Sequence, residues 1–223
     1  MMKNDYIVII PARGGSKSIL NKNLQEFDGI PLIAFAVKKF NDLDLKVIVS
    51  SDCDDILKCA KNFGAYVVKR PTHLSEDNST SESAILHTLK TSKHVNENHN
   101  YIIFHQCTSP LISKETITKM IAFFESNTNE TVFSVCEESN PIWEYDIDLK
   151  KYINKTDNNM VRAPRQKRFP KYIETGGMYI VNRKKFEENL NRFSEDSKPF
   201  LIPKIEAIDI DDPIDLLIAK KLN

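Results

Sequence analysis

The residues best suited to chemistry lie near the two ends of the chain. Close to the N-terminus, Arg13-Gly14-Gly15-Ser16-Lys17 follows an apolar run, with Lys22-Asn23 shortly after. Adjacent glycines let a backbone curl so that successive N–H groups point into one hollow, and such a hollow holds phosphate oxygens. Arg13, Lys17 and Lys22 add positive charge to the same stretch, which suits a polyanionic ligand. Glycine is scarce, at six in the chain, yet two stand beside Arg13. A Gly-Gly pair also makes an ordinary turn, and neither the Walker A spacing nor Gly-x-Gly-x-x-Gly is present.

Near the C-terminus, Asp209 and Asp211 are two apart, so on an extended chain both point to one side and can share a cation. Without a cation each would raise the other's pKa. Asp212 before Pro213 reads as a helix cap with proline at the first helical position, and Asp215 adds favourable charge to the first turn. Capping of that kind is worth about 1 kcal/mol and accounts for Asp212 and Asp215 without any function. A third group is the basic cluster Arg162, Arg165, Lys167, Arg168 and Lys171. It is either a solvated face or a carboxylate site, for which the arginine fork is well shaped.

Short β-rich runs alternate with helical patterns, which predicts an α/β protein. Its expected form is a three-layer α/β/α sandwich with a mainly parallel, Rossmann-like sheet. Residues 6–10 form an apolar, β-branched run that reads as a strand buried on both faces, and Pro11 ends it. Further strands are expected at 46–50, 65–68, 101–104, 131–135 and 172–181. Helices are expected at 31–40, 82–93 and 183–192, and after Asp52 and Ser113 as caps. The helix after Asp52 carries Ile56, Cys59, Ala60 and Phe63 on one face and stops at Gly64. Residues 70–81 read as a polar loop with Ser81 as a helix cap, and His105 as a satisfied structural side chain. Residues 138–172 break the pattern, with mixed charge and the only tryptophan, Trp143.

With 223 residues the chain is most simply one domain, 1–223. Lysine plus arginine equals aspartate plus glutamate at 31 each, so nothing drives the molecule towards nucleic acid or a membrane surface. Cys53, Cys59, Cys107 and Cys136 lack Cys-x-x-Cys spacing and read as reduced thiols, neither zinc ligands nor disulfides. No signal peptide or long apolar run is visible, and a cytoplasmic location is expected.

The stretch Ile10-Pro-Ala-Arg-Gly-Gly-Ser-Lys17, with Lys22-Asn23, resembles the signature of the sugar cytidylyltransferases that make CMP-sialic acid and related CMP-nonulosonates, CMP-legionaminic acid synthetases included. Three further motifs extend the likeness: Arg70-Pro71 with Leu74 and Asp77, Gln106 with Thr108-Ser109-Pro110-Leu111, and Asp209-x-Asp211. Cys107 stands where the family has proline, and Ser18 where it usually has glycine, so Ser18 is expected in a conformation that glycine finds easier. A weaker match runs through Arg165-Gln166, Pro170 and the Glu174–Ile180 strand.

This resemblance implies transfer of CMP from CTP to the anomeric hydroxyl of a nonulosonic acid, with release of pyrophosphate. It implies that Ala12, Arg13, Gly14, Gly15, Ser16, Lys22 and Asn23 hold the triphosphate, while Arg70 and Ser81 read cytosine. Cytosine offers acceptors at O2 and N3, which suit arginine and hydroxyl donors. Gln106, Thr108, Ser109, Arg165, Gln166 and Tyr179 would meet the acceptor. Asp209 and Asp211 would bind magnesium or manganese, and Arg13, Lys22 and Asp211 would carry catalysis. The 138–172 excursion would pack against a second subunit in a homodimer. A CMP-Kdo synthetase is the nearest alternative, and a non-catalytic nucleotide-binding protein on the same fold the more distant one.

Overall fold

In the computed structural model, which describes residues 3–127, 131–155 and 170–223, the first strand β1 (Tyr6–Pro11) lies deep in the sheet. Its alternation explains the layering. Tyr6, Val8 and Ile10 face one apolar cluster, while Ile7 and Ile9 face another. Both faces are buried, as a continuous apolar run requires. After a short hairpin of β2 (Glu26–Phe27) and β3 (Ile30–Pro31), the chain enters α1 (Leu32–Asn41) and then β4 (Val47–Ser51). Next come α2 (Asp54–Asn62), β5 (Tyr66–Lys69), α3 (Ser81–Thr91), β6 (Tyr101–His105) and α4 (Lys114–Asn127).

The second half contains β7 (Thr131–Glu138), a hairpin of β8 (Trp143–Asp146) and β9 (Lys151–Asn154), and the long β10 (Lys171–Asn182). It ends with α5 (Arg183–Asn189), β11 (Lys198–Leu201) and α6 (Pro213–Leu222). Seven strands form one sheet in the order β11-β7-β10-β6-β1-β4-β5. Only β10 runs against its neighbours; the other pairings in that sheet are parallel. Apolar residues of α1, α2 and α4 cover one face, and those of α3 and α5 the other, which gives the three layers.

Two capping details depart from the sequence reading. Cys53, not Asp52, precedes α2, and it supplies no side-chain cap. Thr80, not Ser81, caps α3, its hydroxyl accepting from the Ser83 amide at 3.2 Å. The cap at Ser113 is as expected, accepting from Thr116 N. Asp212 and Asp215 form a reciprocal capping box with Pro213 at the helix start. A third, smaller cluster (Ile19, Phe27, Leu32, Ile210 and Ala219) seats α6 and the irregular segment before it beneath the loop that follows β1. That satellite core brings the two ends of the chain together.

Candidate active site

The carboxyl ends of β1, β4, β5 and β6 deliver four loops to one edge of the sheet, where ligands bind in open α/β folds. Lys22 ties the first of these loops to the C-terminal aspartates. Its ammonium donates to the Ile210 carbonyl at 2.7 Å and to Asp211 Oδ1 at 3.1 Å. Next to it, Asn23 is buried and donates to the Arg13 carbonyl at 2.9 Å. The same amide oxygen accepts from Cys107 Sγ at 3.2 Å. Arg13, Lys22, Asn23 and Asp211 are therefore linked by hydrogen bonds, although nearly two hundred residues separate the first from the last.

The glycine pair works differently from the sequence expectation. Neither Gly14 nor Gly15 takes a positive φ. Gly14 N donates to Asp52 Oδ1 at 3.0 Å, and Ser16 N turns back onto the Gly14 carbonyl at 3.1 Å. These two amides are thus committed within the protein, and they do not form the open hollow read from Gly-Gly. Gly14 is needed for close approach, because a Cβ there would stand 2.7 Å from Cys53 Cβ. Gly15 has nothing within 4 Å of an added Cβ. Ser18 lies outside the positive-φ set, so it needs no glycine-like conformation, and its hydroxyl donates to the Asp211 carbonyl.

Arg13 and Lys17 both hold Asp77, Arg13 Nη1 at 2.9 Å from one carboxylate oxygen and Lys17 on the other. These two hydrogen bonds keep the Asp77 carboxyl below the usual carboxylate range. Asp77 belongs to the loop that starts at Arg70, so that loop is latched across the loop after β1. Arg70 is 5% exposed and anchored by its amide on the Ser51 carbonyl, yet its Nε has no partner among the described residues. A buried guanidinium with an unused donor is costly unless a ligand satisfies it. Burial lowers its pKa, with Asp52 opposing and Arg13 adding to the fall. Ser81, freed from the capping role, begins α3 beside the same loop.

On the other wall, the turn after β6 is held on three sides. Gln106 N donates to the Gly177 carbonyl at 3.0 Å, and Thr108 Oγ1 reaches the Gln106 side-chain oxygen at 3.4 Å. Ile210 N donates to the Thr108 carbonyl at 2.8 Å, and Ser109 Oγ to Asp209 Oδ1 at 3.2 Å. Gly177 explains its own identity, since a Cβ there would meet Ile112 Cδ1 at 2.7 Å and Ser109 Oγ at 2.8 Å. Burial raises the Asp209 pKa; the Thr108 hydrogen bond opposes it and the Asp211 charge adds to it. Asp211 is exposed and is oriented by its amide, which donates to Asp215 at 2.9 Å.

Other expected site residues fall elsewhere. Tyr179 is 2% exposed, stacks on Phe104 and under Arg192, and donates its hydroxyl to Glu174. Tyr179 belongs to the apolar cluster on the opposite face of the sheet from Cys107 and Ile112, so its ring points away from the turn after β6. Arg165 and Gln166, with Arg162, Lys167 and Arg168, lie outside the described residues; Lys171 pairs with the end of β7. His105 is fully buried against Phe40 with the Gly177 backbone beside its ring, a structural position as expected. Burial, with the Lys39 charge adding to it, holds its pKa down to about 3. All four cysteines are free thiols, and burial pushes Cys107 up to about 12. Sequence reasoning passed over Asp52 and Lys39 because neither lies in a recognisable motif.

The profile of the cytidylyltransferase family matches residues 7–194. The chain belongs to that family. Pseudaminic acid cytidylyltransferase of Campylobacter jejuni is 30% identical over 99% of this chain and 96% of its own length. CMP-N,N'-diacetyllegionaminic acid synthase of Legionella pneumophila is 32% identical over 97% and 95%. N-acylneuraminate cytidylyltransferase of Escherichia coli is 25% identical over 98% of this chain but only 52% of its own. A solved structure of CMP:2-keto-3-deoxy-manno-octonic acid synthetase complexed with CTP superposes with a TM-score of 0.68 at 14% identity, covering 97% of each chain. 4-Diphosphocytidyl-2C-methyl-D-erythritol synthase of Anaerococcus prevotii gives 0.67 at 14%, covering 98% of each chain. These two likenesses concern the fold, a mostly parallel sheet between helical layers, and the family's placement of this chain rests on the first three.

Proposed function

We propose that this cytidylyltransferase transfers CMP from CTP to the anomeric hydroxyl of a nonulosonic acid. The sugar oxygen forms a bond to the α-phosphorus, the bond from that phosphorus to the β-phosphate oxygen breaks, and pyrophosphate leaves. The observation that carries this reading is the bridge made by Lys22 between the loop after β1 and the Asp209–Asp211 segment. It sets a cationic loop and two carboxylates against each other, as a nucleoside triphosphate with a divalent cation requires.

In this reading Arg13, Lys17 and Lys22 neutralise the triphosphate, and Arg70 with Ser81 takes the cytosine. The unused Nε of Arg70 supports that assignment. Gln106, Thr108 and Ser109 orient the acceptor, and their anchoring on β10 and Asp209 limits its freedom. No group of three or more His, Cys, Asp or Glu side chains is arranged to hold a metal ion among the described residues. The donor set is thus two carboxylates, which fits magnesium, since that ion is held by one or two carboxylates and completes its shell with water and phosphate oxygens. Magnesium bound by Asp209 and Asp211 would supply charge neutralisation at the phosphates. Ser109 keeps Asp209 in place, Asp215 keeps Asp211, and Lys22 occupies Asp211 from the protein side.

The β8–β9 hairpin supports a homodimer. It exposes Trp143, Tyr145, Ile147, Leu149 and Tyr152 in one small element, more apolar surface than a monomer usually shows in one place. Free thiols and a CTP-dependent reaction fit the cytoplasm. No helix among the described residues is long and apolar enough to cross a membrane.

Pyrophosphate release from CTP and magnesium, measured across pseudaminic, legionaminic, N-acetylneuraminic and 3-deoxy-manno-octulosonic acids, tests the proposal. Turnover confined to nonulosonic acids, abolished in Arg13→Ala and Asp211→Ala, is the expected result. Near-full turnover in either variant, or CTP binding without release on any acceptor, would overturn it.

A further inference from the structure

We infer that Lys39 is a positioning residue for the acceptor turn, acting from behind it. The inference rests on the reading of Gln106, Thr108 and Ser109 as acceptor contacts. Lys39 lies in α1, is 8% exposed, and its ammonium nitrogen is 2.5 Å from both the Pro110 and the Ile112 carbonyls. These are the two carbonyls that flank Leu111 at the end of the turn. Both lie outside the helices and strands, and among the described residues the single Lys39 side chain donates to both. Burial opposes its charge, Glu206 favours it and Lys114 disfavours it, while Phe35 offers its ring face at 5.2 Å.

Glu206 couples this anchor to the aspartates. Its Oε2 accepts from Ser113 N at 3.3 Å, at the other end of the same segment, and Glu206 sits in the short helical turn (Lys204–Ala207) just before Asp209. The turn is therefore gripped from the front by Asp209 and Ile210 N, and from the back by Lys39 and Glu206. Removing the lysine leaves two buried carbonyls without donors, and the turn can recover solvation only by leaving Ser109 and Gln106 out of place. Lys39 and Glu206 make no hydrogen bond to the Arg13–Lys22 loop or Arg70 among the described residues, while the turn they hold meets that loop through Cys107 on Asn23, so the larger consequence falls on the acceptor and the smaller on CTP.

The test compares Lys39→Met, Lys39→Arg and wild type by pyrophosphate release and by amide hydrogen exchange. Lys39→Met should raise the acceptor KM by about tenfold or more, the size of one orphaned buried polar group, with the CTP KM within about twofold. Lys39→Arg, which keeps charged donors, should recover part of that loss. Exchange at Ser109, Leu111 and Ile112 should quicken by a similar factor without substrate, while amides of β1 and β4 stay protected. An unchanged acceptor KM, a parallel rise in both KM values, or Lys39→Arg no better than Lys39→Met would overturn the inference. If Lys39→Met does not fold, Glu206→Gln replaces it, with faster exchange at Ser113 and a raised acceptor KM expected and no change refuting. Should wild type act on no nonulosonic acid, the functional reading fails by itself. Exchange then decides the anchor: acceleration confined to residues 106–113 upholds it, and none rejects it.

Discussion

Two adjacent glycines should respond to the same substitution in opposite ways. In Gly14→Ala the new methyl would stand 2.7 Å from Cys53 Cβ, whereas carbon atoms prefer about 3.5–4.0 Å. Roughly 1 Å of movement is needed, and both partners are backbone-anchored: Cys53 precedes α2, and Gly14 N is held by Asp52. Overpacking of this kind costs about 1–3 kcal/mol, and losing the Asp52 bond adds about 1 kcal/mol. At roughly 2–4 °C per kcal/mol for a chain of this size, the melting temperature should fall by about 4–16 °C. A shift of that size in the loop carrying Arg13 should also lower kcat/KM for CTP by about a hundredfold.

Gly15→Ala meets nothing within 4 Å and involves no positive φ. It should leave stability unchanged or raise it by about 0.4–1 kcal/mol, through the unfolded chain. Any rise in its CTP KM would then report a phosphate approaching that side of the loop. Differential scanning calorimetry beside CTP saturation curves separates the cases. A Gly14→Ala protein that melts with wild type, or a Gly15→Ala protein that melts as low as Gly14→Ala, would refute the packing argument.

Other expectations are quickly stated. Asp77→Asn removes the carboxylate that competes with phosphate for Arg13 and Lys17, so the CTP dissociation constant by calorimetry should fall by up to about fivefold, most at low salt; weaker binding would show that Asp77 assists the nucleotide. Tyr179→Phe should leave the acceptor KM unchanged while lowering the melting temperature, because that hydroxyl faces Glu174; a raised acceptor KM would return Tyr179 to the site. Burial lowers Lys39 from 10.5 to about 7. Between these values the unfolded chain binds the extra proton, so stability from this group is present above 10.5 and lost as pH falls through about 7. Denaturant titrations of wild type and Lys39→Met should therefore diverge in favour of wild type from pH 7 to 10, by at most about 1.4 kcal/mol per pH unit, and parallel profiles would count against the buried amine.

The α/β layering was legible because β1 reads as an apolar run whose neighbours alternate with helical periods, and local pattern carries that information. Residue type and spacing likewise pointed to the Asp212–Asp215 cap and singled out Lys22 and Asp211, which the fold brings into contact, since the charge and capping chemistry of these side chains is displayed locally. Contacts between distant segments were not legible. Gly14 is small because of Cys53, Gly177 because of Ser109 and Ile112, and Arg13 is engaged by Asp77; no local rule reports any of these. Tyr179 shows the same limit from the other side, because only the packed sheet decides which of its two faces a strand residue meets, and Tyr179 falls on the face away from the turn after β6. Lys39 is the extreme case: in sequence it is one lysine on a helix, and only the packing of α1 against the turn after β6 removes it from water and makes two carbonyls depend on it.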